Sequence, residues 1–540
     1  MFRPFAIVAT LVAMTLGFCQ PAQAQKAIEP TIEVRMRSIN DLLDKVGYLG
    51  DIINQGEQAK QGVEFIRSIA DEKKGIEGID PTKPIGMYGT VTKDVIDSQV
   101  ILMIPVADEK AFLDLLTGKL NLEPKKGDDD RYELKIPNVP LPIYFRYTKG
   151  YVYATAGSSS NLDDKKLFTP KDFFRADFTA IATADIHVDR IPDDIKKTVF
   201  AQLELQLNDA KNQKIEGEPP IRTQSRILGT EQTARAIQTI LKDGRKLSLQ
   251  VNLEPKSDDI ALALRFTANN GTELSKSITG MKGQTVNPAL SEKAPLGLAV
   301  TKLSLPDGAM KSFQAVFDFI QKDAVASAPE KDKALTKLAV EAITPTLRAG
   351  KFESTLFASA RDNDGKGTLF ATLNVVDGKA IENALKQAVN QDNPKDQVVV
   401  SFDAKKVGDL TFHKITLKDP AAKESLGSDT IWLGFSDTQI VAQVTPDGKL
   451  NEALLKPTTT TNSRHLQAEL SIAGLFTVTE KALKANKVQE LITDVFGKTG
   501  PSGKDTLTLS IDGGDALTMR VSMKGKAMKL AVMIDQEKKK

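Results

Sequence analysis

The sequence predicts an α+β fold, a tandem duplication of a strand-helix-hairpin module with largely antiparallel sheets. Three observations predict it. Runs of alternating apolar and polar residues mark strands with one buried face, and apolar residues three and four apart mark amphipathic helices between them. Similar segments also recur in the same order in both halves of the chain, at spacings that stay between 255 and 288 residues.

Each half opens on a strand, Ile32–Arg37 in the first and Leu296–Val300 in the second. A helix is predicted after each, with Ile39, Leu42, Leu43, Val46, Leu49, Ile52 and Ile53 on one face, and Ala309, Phe313, Val316, Phe317 and Ile320 in the second half. Long alternating strands come next, around Met87–Thr92 and Ser98–Val106, matched by Phe352–Ala360 and Gly367–Val376. Ile104–Phe112 then resembles Leu373–Ile381, with Asp377 lying 269 residues after Asp108. Both aspartates are placed to accept the unpaired backbone N–H groups at a helix start.

The hairpin Ile143–Tyr153 matches Ile431–Val441, with Tyr144 against Trp432 at a spacing of 288. Ala184–Val188 matches Ala468–Ile472 at 284, and Leu247–Asn252 matches Leu507–Asp512 at 260. Last, Leu262–Phe266 is set against Leu517–Val521, which pairs Arg265 with Arg520 at 255. Each drop or rise in spacing marks extra residues in one copy, including the loop Glu216–Pro220 in the first. The modules are expected to span residues 25–283 and 284–540, with the boundary at Gly283–Pro288.

Residues 1–24 read as a signal peptide: Arg3, an uncharged apolar run from Ala6 to Phe18, and the small-residue site Ala22-Gln23-Ala24. That run is too short to span a bilayer as a retained helix, so no transmembrane segment is expected after cleavage. The expected location is periplasmic or extracellular. Cys19, the one cysteine, would leave with the signal, which excludes disulfides and thiolate chemistry from the mature chain. Basic and acidic residues nearly balance, 72 against 70, so charge gives no reason to expect a nucleic-acid partner.

Few residues of the chain fall in a catalytic or metal-ligand pattern. His187, His413 and His465 are the only histidines, and none has metal-ligand spacing to another. No cofactor is expected, because no phosphate-cradling glycine loop, dinucleotide fingerprint or nucleophile elbow occurs. Asp128–Asp130 lies in a charged loop before the strand at Tyr132, and Asp362–Asp364 begins like a calcium loop but lacks its distal Glu, so a turn is favoured over calcium. Trp432 reads as a hairpin core residue. Arg265 and Arg520 are the candidate binding residues, two guanidiniums on strands that are otherwise mostly apolar.

The segments Asp108-x-Lys110-Ala111 and Asp377-x-Lys379-Ala380, within this order of elements behind a signal peptide, resemble those of uncharacterised secreted bacterial proteins built from a duplicated α+β module. The resemblance implies export and fold and carries over no catalytic residue. With the sought catalytic motifs missing, the expectation is a non-enzymatic envelope or periplasmic protein that binds a small-molecule ligand or a protein partner. Two alternatives stay open. One is a carrier of lipid or another apolar molecule in a sheet-lined cavity, and the other is a hydrolase with a dispersed active site.

Overall fold

The computed structural model describes residues 29–52, 70–71, 75–76, 78–93, 98–136, 141–175, 178–218, 220–281, 295–304, 307–359, 367–391, 398–455, 464–479, 485–501 and 503–539. The expected signal peptide, the expected module boundary and the Asp362–Asp364 segment lie outside them. The chain is an α+β protein that divides into two compact units. One runs to Gln202 and adds Thr239–Thr272; the other comprises Leu203–Gln238 and the chain from Glu273 onward.

Ten strands form the sheet of the first unit: β1 (Ile32–Ser38), β2 (Pro84–Thr90), β3 (Gln99–Pro105), β4 (Lys125–Lys126), β5 (Arg131–Leu134), β6 (Ile143–Thr148), β7 (Tyr151–Ala156), β8 (Ala182–His187), β9 (Gly244–Glu254) and β10 (Asp259–Ala268). They pair antiparallel throughout, in the order β4-β5-β6-β7-β3-β2-β1-β8-β9-β10. Helices α1 (Ile39–Ile52), α2 (Glu109–Asp114) and α3 (Pro170–Phe173) belong to this unit, and α4 (Asp193–Asn212) and α5 (Pro220–Asp243) run from one unit into the other.

Ten strands also form the sheet of the second unit: β11 (Pro295–Ser304), β12 (Lys351–Ser359), β13 (Leu369–Asn374), β14 (Val398–Val407), β15 (Leu410–Leu417), β16 (Thr430–Phe435), β17 (Gln439–Val444), β18 (Arg464–Ser471), β19 (Thr506–Asp512) and β20 (Leu517–Lys524). Their order is β14-β15-β16-β17-β13-β12-β11-β18-β19-β20, again antiparallel. The helices are α6 (Glu273–Gly280), α7 (Asp307–Ser327), α8 (Lys333–Ala349), α9 (Gly378–Gln391), α10 (Pro420–Leu426), α11 (Ile472–Thr479), α12 (Ala485–Phe496) and α13 (Gly525–Lys538). No helix among the described residues is long and apolar enough to cross a membrane.

Strand n of the first sheet therefore holds the place of strand n + 10 in the second, and the registers agree residue by residue. Ile104 faces Val152 as Leu373 faces Ile440, and Tyr144 faces Thr155 as Trp432 faces Gln443. Asp108 and Asp377 occupy the same position after β3 and β13, each accepting a helix N–H, from Ala111 at 2.7 Å and from Ala380 at 2.9 Å. Ile186 faces Leu247 as Leu470 faces Leu507.

One sequence pairing fails this test. Ser248 faces Arg265, whereas Thr508, the residue after Leu507, faces Ser522; Arg520 faces Ser510 instead. Arg265 thus corresponds to Ser522, two residues away from Arg520. A slip of two residues leaves every side chain on its original face, so alternation alone could not detect it.

Where the sheets differ is in what they bury. The second unit packs Leu298 and Val300 of β11 with Phe357, Phe370, Phe412, Trp432 and Val441. Trp432 donates its ring N–H to the Gly448 carbonyl at 3.0 Å, which seats it in that core. In the first unit the core is Tyr88, Ile101, Met103, Tyr151, Tyr153, Leu162, Leu167 and Phe173, and the positions of Leu298 and Val300 are held by Glu33 and Arg35. Both are buried, at 5% and 6% exposure. Their apolar neighbours Ile32, Val34 and Met36 are only half-buried.

Candidate functional site

A cavity of about 610 Å³ opens over the polar face of β1, β8, β9 and β10, wholly within the first unit. Period-2 alternation sets its floor. Arg35 comes from β1; Thr183, Asp185 and His187 from β8; Lys246, Ser248 and Gln250 from β9; Arg265 and Thr267 from β10. Arg175, Phe178–Ala180 and the pair Asp189–Arg190 form its walls.

Charges beneath the floor are closed on one another. Arg35 donates from Nε to the Phe173 carbonyl at 2.7 Å, from Nη1 to Asp185 at 2.9 Å, and from Nη2 to Glu33. Its guanidinium lies 4.8 Å from the Phe173 ring centroid, a favourable cation–π distance. Phe173 reaches that position because Gly86 on β2 has no side chain: a Cβ there would come within 2.3 Å of the ring. Lys246 Nζ lies 2.9 Å from Asp185, and His187 Nε2 lies 3.2 Å from Glu33. Burial is the largest influence on Glu33 and pushes its carboxyl up, but the contacts with His187 and Arg35 together outweigh it and hold the group below the usual range. Asp185 behaves the same way, with burial opposed by Lys246, Ser248 and Arg35. Both are carboxylates at neutral pH.

The walls and rim are not closed. Six basic and three acidic residues line the cavity, and among them Arg190 pairs with Glu29 at 3.2 Å. Arg175, Arg245 and Arg265 are exposed and make no side-chain hydrogen bond or ion pair with any described residue. Arg245 is aimed by the backbone: Gly244 faces Ala268 and Lys246 faces Thr267, so Arg245 is the extra residue of a bulge. Bulges re-aim side chains in this way. On the floor the Thr183 hydroxyl is buried and has no hydrogen-bond partner among the described residues. Chemically the arrangement is suited to an anion, because guanidinium forks stand around a polar floor.

Of the two arginines singled out in the sequence, Arg265 lines this cavity, and Arg520 lies exposed on β20 of the second unit. Sequence reading missed Arg175, Arg245 and the ion network. The usable signal was Glu33 and Arg35 at i and i+2, opposite charges on one strand face, but only the topology brings β8 and β9 beside them. The second unit has no counterpart to the network: Glu33, Arg35 and Lys246 correspond to Leu298, Val300 and Thr506.

A second polar cluster joins Glu382, Asp403 and His413 in the second unit, their ligand-type atoms all within 4.8 Å of one another. His413 Nδ1 accepts the Asp403 backbone N–H at 2.9 Å, so the proton of the neutral ring sits on Nε2, 3.1 Å from Glu382. Lys386 Nζ lies 2.8 Å from Glu382 and 3.0 Å from Asp403. With Nδ1 occupied, the proton on Nε2 and an ammonium between the carboxylates, the arrangement reads as an ion-paired support for the β14–β15 hairpin rather than a cation cage.

His465 on β18 is buried with neither ring nitrogen hydrogen-bonded among the described residues. Burial, with Lys302 adding to it, depresses its pKa; burial likewise depresses that of His413. The unfolded chain therefore takes up these protons first, and stability present above about pH 6.5, the unfolded His value, is lost as the pH falls below it. Urea midpoints measured between pH 8 and 5 are expected to fall with acidification, less steeply in His465→Leu. Equal slopes would show that His465 does not contribute.

No protein-family model matches the chain, and no curated protein and no solved structure was found similar to it.

Proposed function

We propose that this is an exported, non-enzymatic protein of the periplasm or cell exterior that binds a small anionic ligand in the first-unit cavity. The observation that carries the reading is the set of three guanidiniums, Arg175, Arg245 and Arg265, left without partners among the described residues above a floor whose own charges are already paired. Free guanidiniums around a concave site recognise carboxylate or phosphate oxygens in pairs. The polar lining weighs against an apolar cargo in this cavity. Export rests on residues 1–24 of the sequence, and N-terminal sequencing of the secreted protein should begin at Gln25.

The agreement of strand order and register supports descent of both units from one module, with the binding function kept or gained in the first alone. An experimental structure in which Tyr144 and Trp432, or Leu247 and Leu507, fall on non-equivalent strands would remove that reading.

Thermal melts at fixed ionic strength test the binding reading. Citrate is expected to raise the melting temperature saturably relative to chloride, since a ligand held only by the folded state stabilises it by about 2.7 kcal/mol at 100 times its Kd. The double variant Arg245→Glu/Arg265→Glu should lose the shift. A shift that is absent, or unchanged in the variant, rejects the site.

A further inference from the structure

The distribution of the cations goes further than their number. Resting on the anion-binding reading above, we propose that the cavity takes a hydrophilic organic ligand with two separated anionic groups, phosphate or carboxylate, joined by a hydroxyl-bearing core.

The free guanidiniums are carried by chain segments on opposite sides of the floor. Arg175 follows Phe173, whose ring covers Arg35 on the β1 side. Arg245 sits in the β9 bulge and Arg265 on β10, two and three strands away from β1. At about 4.8 Å between strands, the two ends are roughly 10–14 Å apart at the backbone. Arg245 and Arg265 are themselves offset by two to three positions on neighbouring strands, or about 9 Å between α-carbons. Two anionic groups at the ends of one ligand span that distance without the arginines having to converge.

Between them the floor is polar but offers no free charge. Asp185 and Lys246 neutralise each other there, and Thr183, Ser248 and Gln250 present hydroxyl and amide groups. The Thr183 hydroxyl is 8% exposed at the residue level and has no hydrogen-bond partner among the described residues. An unpaired buried hydroxyl is costly unless something meets it, and a ligand hydroxyl supplies that partner. The cavity volume is in the range of sites for metabolite-sized molecules.

Calorimetric titration of the mature protein tests this with four compounds at one ionic strength: fructose 1,6-bisphosphate, glucarate, glucose 6-phosphate and inorganic phosphate. The first two carry an acidic group at each end of a polyol and distinguish phosphate from carboxylate as the natural group. At least one of them is expected to bind ten-fold or more tightly than the last two. Arg175→Ala and Arg265→Ala, at opposite ends, should each erase that difference while leaving the urea midpoint unchanged, because both side chains are exposed. If inorganic phosphate binds as tightly as the two-headed compounds, the anion site stands and the two-ended inference is overturned. If none of the four binds and citrate gives no thermal shift, both fall together.

Discussion

Replacing Arg35 by Ala is expected to lower the stability of the first unit by about 3–5 kcal/mol, the cost of removing one partner from a buried ion cluster. Glu33 and Asp185 would remain buried on either side of the vacated guanidinium, with 7% of each side chain exposed. The Phe173 carbonyl and ring would lose their donor and their cation as well. The second unit indicates how the loss can be repaired. At the same two strand positions it places Leu298 and Val300, both in its apolar core. The double variant Glu33→Leu/Arg35→Val should therefore recover at least half of the loss, because it removes Glu33 together with Arg35 while Asp185 keeps Lys246. Urea denaturation followed by near-ultraviolet absorption of the tyrosines reads both variants. A double variant no more stable than Arg35→Ala would mean that buried charge is not the source of the effect.

In the second unit, Phe412→Ala is expected to cost about 3–5 kcal/mol, the range for deleting a buried phenyl ring. Phe412 is fully buried, and its ring lies over Gly434, where a Cβ would come within 2.4 Å of it. Ring and glycine are a fitted pair on facing strands. The corresponding residues of the first unit are Arg131 and Arg146, which also face each other but reach outward to Asp163 and to the Ser159 and Leu162 carbonyls. A cost below about 1 kcal/mol, with the fold intact, would show that neighbouring side chains close the vacancy.

Strand and helix positions were legible in the sequence because alternation and three-four spacing are local signals. The spacing between matched segments located equivalent strands correctly at Asp108, Tyr144 and Leu247. It failed at Arg265, where a two-residue slip preserves the face pattern. Which face of β1 is buried was not legible. Ile32, Val34 and Met36 invite burial, yet Glu33 and Arg35 are the more buried set, and they are tolerated only because Asp185, Lys246 and His187 arrive from strands more than 140 residues away. The site was half visible for the same reason. Arg265 stood out as a cation on an apolar strand, whereas Arg245 owes its position to a bulge and Arg175 to a loop, neither of which leaves a pattern in the sequence.

The proposed anion site lies in the first unit, without a counterpart among the described residues of the second. Calorimetric titration of the full mature chain with citrate measures it most directly. One bound anion per chain is expected, and no measurable binding after Arg245→Glu/Arg265→Glu. Two equivalent sites per chain, or full binding by the variant, would contradict it.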